Sequence, residues 1–443
     1  MKMKKYDEIL IGSGPAAYKM ANLLAQTDHQ VLVIEGFEYG GTCPNYGCEP
    51  KIFLEGAART VLQSQQLLGH GISQPATLDW KTLMQTKLNR FDPWPNETRE
   101  IIKKSHDIED GYAKFIDNQT VEVNGHQYQA DHIIIATGQT PNVLDIPGKE
   151  YLHTSYDVLS LKELPKRITV IGAGFVGLEL ATLVAAAGAE VTIIVHSERV
   201  LREFTKAEDE ALVAAMKQRG IKFSFNTNTQ KVTQEKDGLV VTTDHGEVKT
   251  DYILDATGRR PNIAKLSLEN TAIKYDRHGI QVDGNLMTTV DGVYAIGDVV
   301  SRKEPKLTPV AEFEGQYLVD YLLGKTKQTI TYPTIGQAAF TYPEVARVGV
   351  NADEVVNDSQ YQVKTFPLKF SSLYAGQNDQ ISSLTLVFKD QQLVGASEVG
   401  DYAADDINNF LPIIGLAIDG AEYRQKLMAI YPTLGDKVGS LLP

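Results

Sequence analysis

Apolar positions along this chain gather into short runs that stop on glycine. Ile9, Leu10 and Ile11 lead into Gly12-Ser13-Gly14-Pro15-Ala16-Ala17; the spacing that follows predicts a helix over 16–25, then a buried strand over 31–34 ending on Glu35. The same order returns with a strand at 168–171, Gly172-Ala173-Gly174-Phe175-Val176-Gly177, a helix over 178–186 and a strand over 191–195. Two more apolar runs, 132–136 and 252–256, each continue into Thr-Gly, at Thr137-Gly138 and Thr257-Gly258, and their shared pattern hints at an internal duplication. A further run, 291–298, ends on Gly297-Asp298, which suits a carboxylate at the tip of a sheet or a plain turn. After Tyr332-Pro333 the texture changes to alternation, with antiparallel strands expected over 384–389 and 393–397 and a helix over 405–417.

Strand, glycine turn, helix, strand and terminal acid occur in the order of a dinucleotide site. Gly12 permits the tight turn, Gly14 lets a pyrophosphate approach the helix N-terminus, Ala17 lets helix and strand pack, and Glu35, about twenty residues on, accepts from a ribose hydroxyl. Gly172, Gly174 and Gly177 repeat the pattern, so one chain carries two such sites. The second copy ends on His196 where an acid would stand, with Arg199 and Arg202 close behind. An absent carboxylate and nearby cations suit a 2′-phosphate, which favours NADPH over NADH.

Composition narrows the class. With 443 residues, at about 150 per domain, three domains are expected. There are 43 basic and 56 acidic residues, a formal net charge of −13 and a pI near 5.3, so nucleic acid is not an expected partner. No apolar stretch approaches the ~20 residues of a membrane span, and the run at Ile9 is too short for a signal peptide, so a cytoplasmic setting is expected. Cys43 and Cys48 are the only cysteines, inside Gly40-Gly41-Thr42-Cys43-Pro44-Asn45-Tyr46-Gly47-Cys48-Glu49-Pro50-Lys51. A redox couple competes with two plainer readings, buried small hydrophobes and half of a zinc site, and the latter lacks a further Cys or compact His cluster. On an ideal helix their five-residue offset rises roughly 7.5 Å, past the ~7 Å reach of a disulfide, but Pro44 and Gly47 let the backbone leave that geometry. If Cys48 opens the helix suggested by Ile52, Phe53, Leu54 and Ala57, the positive end of its dipole favours a thiolate.

Taken together, these motifs resemble the class I pyridine nucleotide-disulfide oxidoreductases, the group of glutathione reductase, dihydrolipoyl dehydrogenase and mercuric reductase. The resemblance runs the whole length and includes Tyr294-Ala295-Ile296-Gly297-Asp298 and Leu307-Thr308-Pro309-Val310-Ala311. It implies an α/β fold: two Rossmann-like three-layer dinucleotide-binding domains plus a C-terminal α+β dimerisation domain. The implied boundaries are 1–150 and 275–332 for FAD, 151–274 for NAD(P) and 333–443 for dimerisation. FAD would meet Gly12, Gly14, Ala17, Glu35, Gly41, Thr42, Lys51, Thr137, Gly138, Gly297, Asp298 and Ala311. NADPH, with NADH as the alternative, would meet Gly172, Gly174, Phe175, Gly177, Glu179, His196, Arg199, Arg202 and Gly258. Hydride would pass from nicotinamide to flavin, then electrons to Cys48 beside the flavin and Cys43, the interchange thiol, with Lys51 and Glu179 as an ion pair at the flavin and Phe175 as its aromatic gate.

The same resemblance implies a homodimer in which the partner subunit supplies a His-Pro-x-x-x-Glu dyad. This chain has Tyr431 and Asp436 at those positions. Tyrosine titrates near ~10 rather than ~6.5, so it donates a hydrogen bond at neutral pH but is a poor base. Tyrosine here resembles the mercuric and coenzyme A disulfide reductases. The tail 439–443 lacks the cysteine pair of the former, and 19–22 lacks the arginine that glutathione reductases offer their substrate. The expected function is therefore a FAD-dependent, glutathione reductase-like enzyme passing electrons from NADPH through Cys43 and Cys48 to a disulfide, with no metal site. A metal-ion or quinone reductase is the alternative. A flavin-binding interaction protein with decayed catalysis is a third reading, opposed by the retention of both cysteines, Lys51 and Glu179.

Overall fold

The computed structural model describes residues 4–443. They divide into two compact units, one of 4–51, Gln85–Asn142 and Gly258–Tyr332, the other of Ile52–Met84, Val143–Thr257 and Pro333–Pro443.

In the first unit, β1 (Lys4–Ile11) runs into α1 (Pro15–Leu24) and returns as β2 (Val31–Glu35). Proline in the first turn of α1 has no N–H to leave unsatisfied, which is why the helix opens there. The sheet has the order Asp107–Asp110, β2, β1, His126–Ile135, Thr120–Val123, Lys114–Phe115, with Val293–Ala295 also pairing parallel to His126–Ile135. β1 is parallel to both its neighbours, Leu10 facing Val33 and Ile134. Continuous apolar runs follow from covering on both faces: Ile9, Ile11, Leu32 and Ile133 pack into one core, and Leu10, Val33, Ile134 and Met20 into the other. Beyond β2 come the short α2 (Thr42–Tyr46) and the long α3 (Cys48–Gln66).

The second unit holds a four-stranded parallel sheet in the order Lys222–Ser224, Glu190–Ile194, Arg167–Ile171, Tyr252–Asp255. The helix Phe175–Ala186 is apolar on nearly every face, and eight of its residues are buried, as expected of a helix packed on several sides. A five-stranded antiparallel sheet runs Gly336–Ala339, Glu344–Gly349, Gln392–Gly400, Ser383–Lys389, Tyr361–Pro367, so the alternation after Pro333 does mark strands. The single helix expected over 405–417 is instead two short ones, Ala403–Ile407 and Leu411–Gly415. Pro412 is the reason: inside a continuous helix it would forfeit its bond to the preceding turn and clash with it, whereas in a first turn it does neither.

Buried charge organises this second unit. Arg59 of α3 pairs with Glu344 and Glu55 and donates to Asp401 O, while Gln66 Nε2 donates to Asp401 Oδ2 at 2.8 Å. Burial pushes the Glu344 carboxyl up, and the Arg59 charge opposes it. Glu398 is fully buried beside Asp406, which accepts from Tyr374 Oη at 2.5 Å. Burial and the neighbouring Asp406 charge hold Glu398 well above the usual carboxylate range, and burial pushes Asp406 up to about 6.

Arg59→Leu strands Glu344 as a buried, uncompensated charge and should lower unfolding free energy by about 3 kcal/mol, while Arg59→Leu with Glu344→Leu should recover most of that loss. Urea midpoints of the two variants and the parent decide it.

Candidate functional site

Both glycine fingerprints are built alike. Gly12 leaves β1 at φ 107°, donates to Ile34 O at 2.8 Å, and stands where an added side-chain carbon would meet Ala136 O at 2.5 Å. Gly172 repeats this at φ 103°, with Ile194 O at 2.9 Å and Ala256 O at 2.4 Å from the added carbon. Only glycine fits either position. Gly14 and Gly174 then cap α1 and the helix Phe175–Ala186 with no side-chain oxygen on the first N–H groups, which leaves those donors to a phosphate. Ala17 and Gly177 are buried under their turns.

In the first cradle Glu35 is fixed at the end of β2. Its Oε2 accepts from Ser13 N at 3.0 Å and Ser13 Oγ at 2.6 Å, and its Oε1 from Phe37 N at 2.9 Å. Burial pushes this carboxyl up and the three donors oppose it. Glu35 borders a cleft of ≈ 430 Å³ with Phe37, Tyr39, Asn96, Arg99 and Asp110. Thr137 Oγ1 is buried with no protein partner, and its backbone N borders Gly12. Glycine cradle, orphaned hydroxyl and carboxylate over a cleft are a fit for a flavin dinucleotide. Gly41 caps α2 against Gly14, and Thr42 receives Arg259 Nη2 at 3.4 Å. Gly138 and Gly258 precede strands Gln139–Pro141 and Arg259–Pro261, which pair antiparallel. Gly297-Asp298 forms a turn ahead of the helix Thr308–Leu322, which carries Ala311; burial pushes the Asp298 carboxyl up, against the charges of Arg302, Arg259 and Lys306.

The second cradle ends differently. His196 and Arg202 are exposed beyond the strand Glu190–Ile194. Arg199 is committed elsewhere, its Nε to Asp209 Oδ2 at 2.7 Å and its Nη2 to Phe204 O at 2.9 Å. Burial pushes Asp209 up to about 6, and Arg199 opposes the shift. Phe175 packs edge-on against Phe204, ring centres 5.9 Å apart, and Glu179 Oε1 accepts from Phe340 N at 2.8 Å.

Cys43 lies in α2 and Cys48 opens α3, with Gly47 turning the chain between them; both are free thiols. Cys48 Sγ lies 3.8 Å from Thr308 Oγ1. Its hydrogen bond to Cys43 pushes the Cys43 thiol well above its usual value, with burial adding to this, so the pair resists a second negative charge. Lys51 follows in the first turn of α3, its N–H on Gly47 O at 3.1 Å. Tyr431 is 75 % exposed among exposed Leu427, Met428 and Ile430, with Lys437 Nζ 5.3 Å from its ring centre. Asp436, in the first turn of Leu434–Leu441, pairs with Lys437 at 2.6 Å. Among the described residues, no trio of His, Cys, Asp or Glu is arranged to hold a metal ion, and no helix is long and apolar enough to cross a membrane. Sequence reasoning missed Ser13, Arg259, Arg302 and Glu314; of these only Ser13 sits in a motif, between the glycines that aim it at Glu35.

Two matching dinucleotide cradles and a close thiol pair define a redox protein of the flavin and nicotinamide class. The sequence model described as "Pyridine nucleotide-disulphide oxidoreductase" matches residues 6–315, and that of the family's dimerisation domain matches 335–441. A mercuric reductase of Staphylococcus aureus is 31% identical over 91% of this chain and 76% of its own length. A dihydrolipoyl dehydrogenase of Geobacillus stearothermophilus is 31% identical over 97% of this chain and 94% of its own. The HOCl-induced flavoprotein disulfide reductase RclA from Escherichia coli superposes with a TM-score of 0.89 at 25% identity over 99% of both chains, and its Cu(II) complex with 0.88 over 98% and 99%. The chain belongs to the pyridine nucleotide-disulphide oxidoreductase family. It is a flavoprotein disulfide reductase that uses flavin and NAD(P)H and dimerises through its C-terminal domain.

Gly12→Ala forces a side chain onto the Ala136 carbonyl in a left-handed backbone. About 1–3 kcal/mol of strain falls on the cradle, so purified protein should carry less flavin per chain by absorbance, while Gly56→Ala, with open space around it and no positive φ, should not.

Asp209 titrates near 6 in the folded chain against 3.8 for an unperturbed carboxyl. Between those values the unfolded chain has released a proton the native chain keeps, so this group's contribution is full below about pH 4 and is lost as pH rises through about 6. Asp209→Asn should remove that part of the slope when urea midpoints are followed from pH 4 to 7.

Proposed function

We propose that the Gly12 cradle with Glu35, Thr137 and Asp298 holds FAD, that the Gly172 cradle holds NADPH, and that Cys43 and Cys48 form the redox disulfide, with a low-molecular-weight or protein disulfide as acceptor. The observation that carries this is the thiol pair itself, Cys43 in α2 and Cys48 at the start of α3 with only Gly47 turning the chain between the two helices. Bound flavin supplies the relay that brings NADPH's electron pair to the Cys43–Cys48 bond. Reduction adds two electrons and two protons and yields two thiols. Cys43, as thiolate, then attacks one sulfur of the acceptor and expels the other as a thiol; Cys48 attacks Cys43 Sγ, re-forming the disulfide and releasing the second thiol. Cys48 faces the cofactor and Cys43 the acceptor in this reading, with Lys51 and Glu179 at the flavin and Phe175 as gate. In this reading exposed His196 and Arg202 favour a 2′-phosphate, since Arg199 is held by Asp209. Domains 1–150 with 275–332, 151–274 and 333–443 and a cytoplasmic setting complete it, with Tyr431 and Asp436 serving the partner subunit's thiols.

A second reading has a specific support. The Cu(II) complex of the RclA structure and the mercuric reductase relatives point to a metal ion as acceptor, for which a weak base at Tyr431 is no handicap. There the dithiol returns to disulfide as two Cu(II) become two Cu(I) and two protons leave.

NADPH oxidation by parent and Cys43→Ser is measured with glutathione, coenzyme A, lipoamide and bacillithiol disulfides, and with Cu(II), Hg(II) and quinones. One disulfide should turn over, with NADPH preferred to NADH by about tenfold, the worth of one charge-assisted contact to a phosphate. Cys43→Ser should abolish that turnover. Absence of disulfide turnover alongside Cys43-dependent Cu(II) or Hg(II) reduction would transfer the assignment to metal ions.

A further inference from the structure

Behind the Gly297-Asp298 turn lies a buried polar network that the fingerprints do not include. Glu314, on the helix Thr308–Leu322, is fully buried and accepts from Gly297 N at 2.6 Å, Tyr332 Oη at 2.5 Å and Arg302 Nη1 at 3.0 Å. Arg302 Nη1 also donates to Gly297 O at 2.6 Å. The guanidinium, 5 % exposed, therefore has one corner fully used, while its Nε and Nη2 are buried without a partner and Nη2 stands 3.9 Å from Asp298 Oδ1.

Buried donors without acceptors are costly, and a network this complete on one side leaves them free only where something else is to be met. We propose that Arg302 is a positioning residue for Asp298: Glu314 and Tyr332 fix one corner of its guanidinium so that the free edge pins the Asp298 carboxylate against the flavin. The inference rests on reading Asp298 as a flavin contact. Asp298 faces Arg302, Arg259 and Lys306, the last donating to Asp298 O at 2.8 Å, with Glu314 beyond Arg302. Burial pushes Asp298 toward its neutral form and Arg302 is the first of the three cations opposing this, so loss of Arg302 makes the carboxyl protonate more readily. A protonated Asp298 loses charge-assisted acceptance from a ribityl hydroxyl.

The test follows FAD release from the holoenzyme by flavin fluorescence between pH 5 and 8. Arg302→Gln should speed release about tenfold, the scale of one charge-assisted hydrogen bond, and more as pH falls; Arg302→Lys should recover part of it. In an Asp298→Asn background, Arg302→Gln should add nothing. An equal effect in both backgrounds, or one independent of pH, overturns the inference and leaves Arg302 a purely structural ion pair. If Arg302→Gln does not fold because Glu314 is left unpaired, Arg302→Gln with Glu314→Gln removes both charges and is judged by the same comparison. If Asp298→Asn alone leaves FAD release unchanged, the reading of Asp298 as a flavin contact falls, and with it this inference.

Discussion

Two backbone carbonyls, those of Ala136 and Ala256, stand where any side chain on Gly12 or Gly172 would have to go. That close approach is the constraint from which the rest follows. It lets the chain leave one strand, turn within two residues and enter a helix whose first N–H groups point back at the strand ends. With helix and strand held this closely, β2 comes alongside β1 in register, and its terminal Glu35 is delivered to the same edge as the open donors. Ser13, between the glycines, ties that carboxylate to the turn.

The thiols obey an electrostatic constraint instead. Two sulfurs at a helix start share a hydrogen bond, so one negative charge is readily spread between them and a second is opposed. A dithiol of this kind must lose a proton to some base before either sulfur can act as a nucleophile. A histidine would be that base at neutral pH; a tyrosine would offer a hydrogen bond instead.

Much of this was legible in the sequence because the features are local. Runs such as Ile9 to Ile11 could be recognised as strands covered on both faces, and the two fingerprints declared themselves by glycine spacing. The continuous helix over 405–417 was misjudged because apolar spacing outweighed a single proline, Pro412. Arg199 shows a different limit: near a cofactor's expected end, a basic residue is countable in sequence, but its commitment to Asp209 depends on folding. The Arg302–Glu314–Tyr332 network was invisible for the same reason, since three residues spread over thirty positions meet only when the helix Thr308–Leu322 packs behind the turn.

The burial of Glu398 beside Asp406 bears on the whole molecule as an electrolyte. A formal charge of −13 counts every carboxyl as ionised. Glu398, shut away from water beside another acid, is pushed toward its neutral form, where that tally makes it negative. Exposure of that one carboxyl on unfolding therefore favours release of its proton at neutral pH. Denaturation of this chain is, in part, an acidification of its buffer.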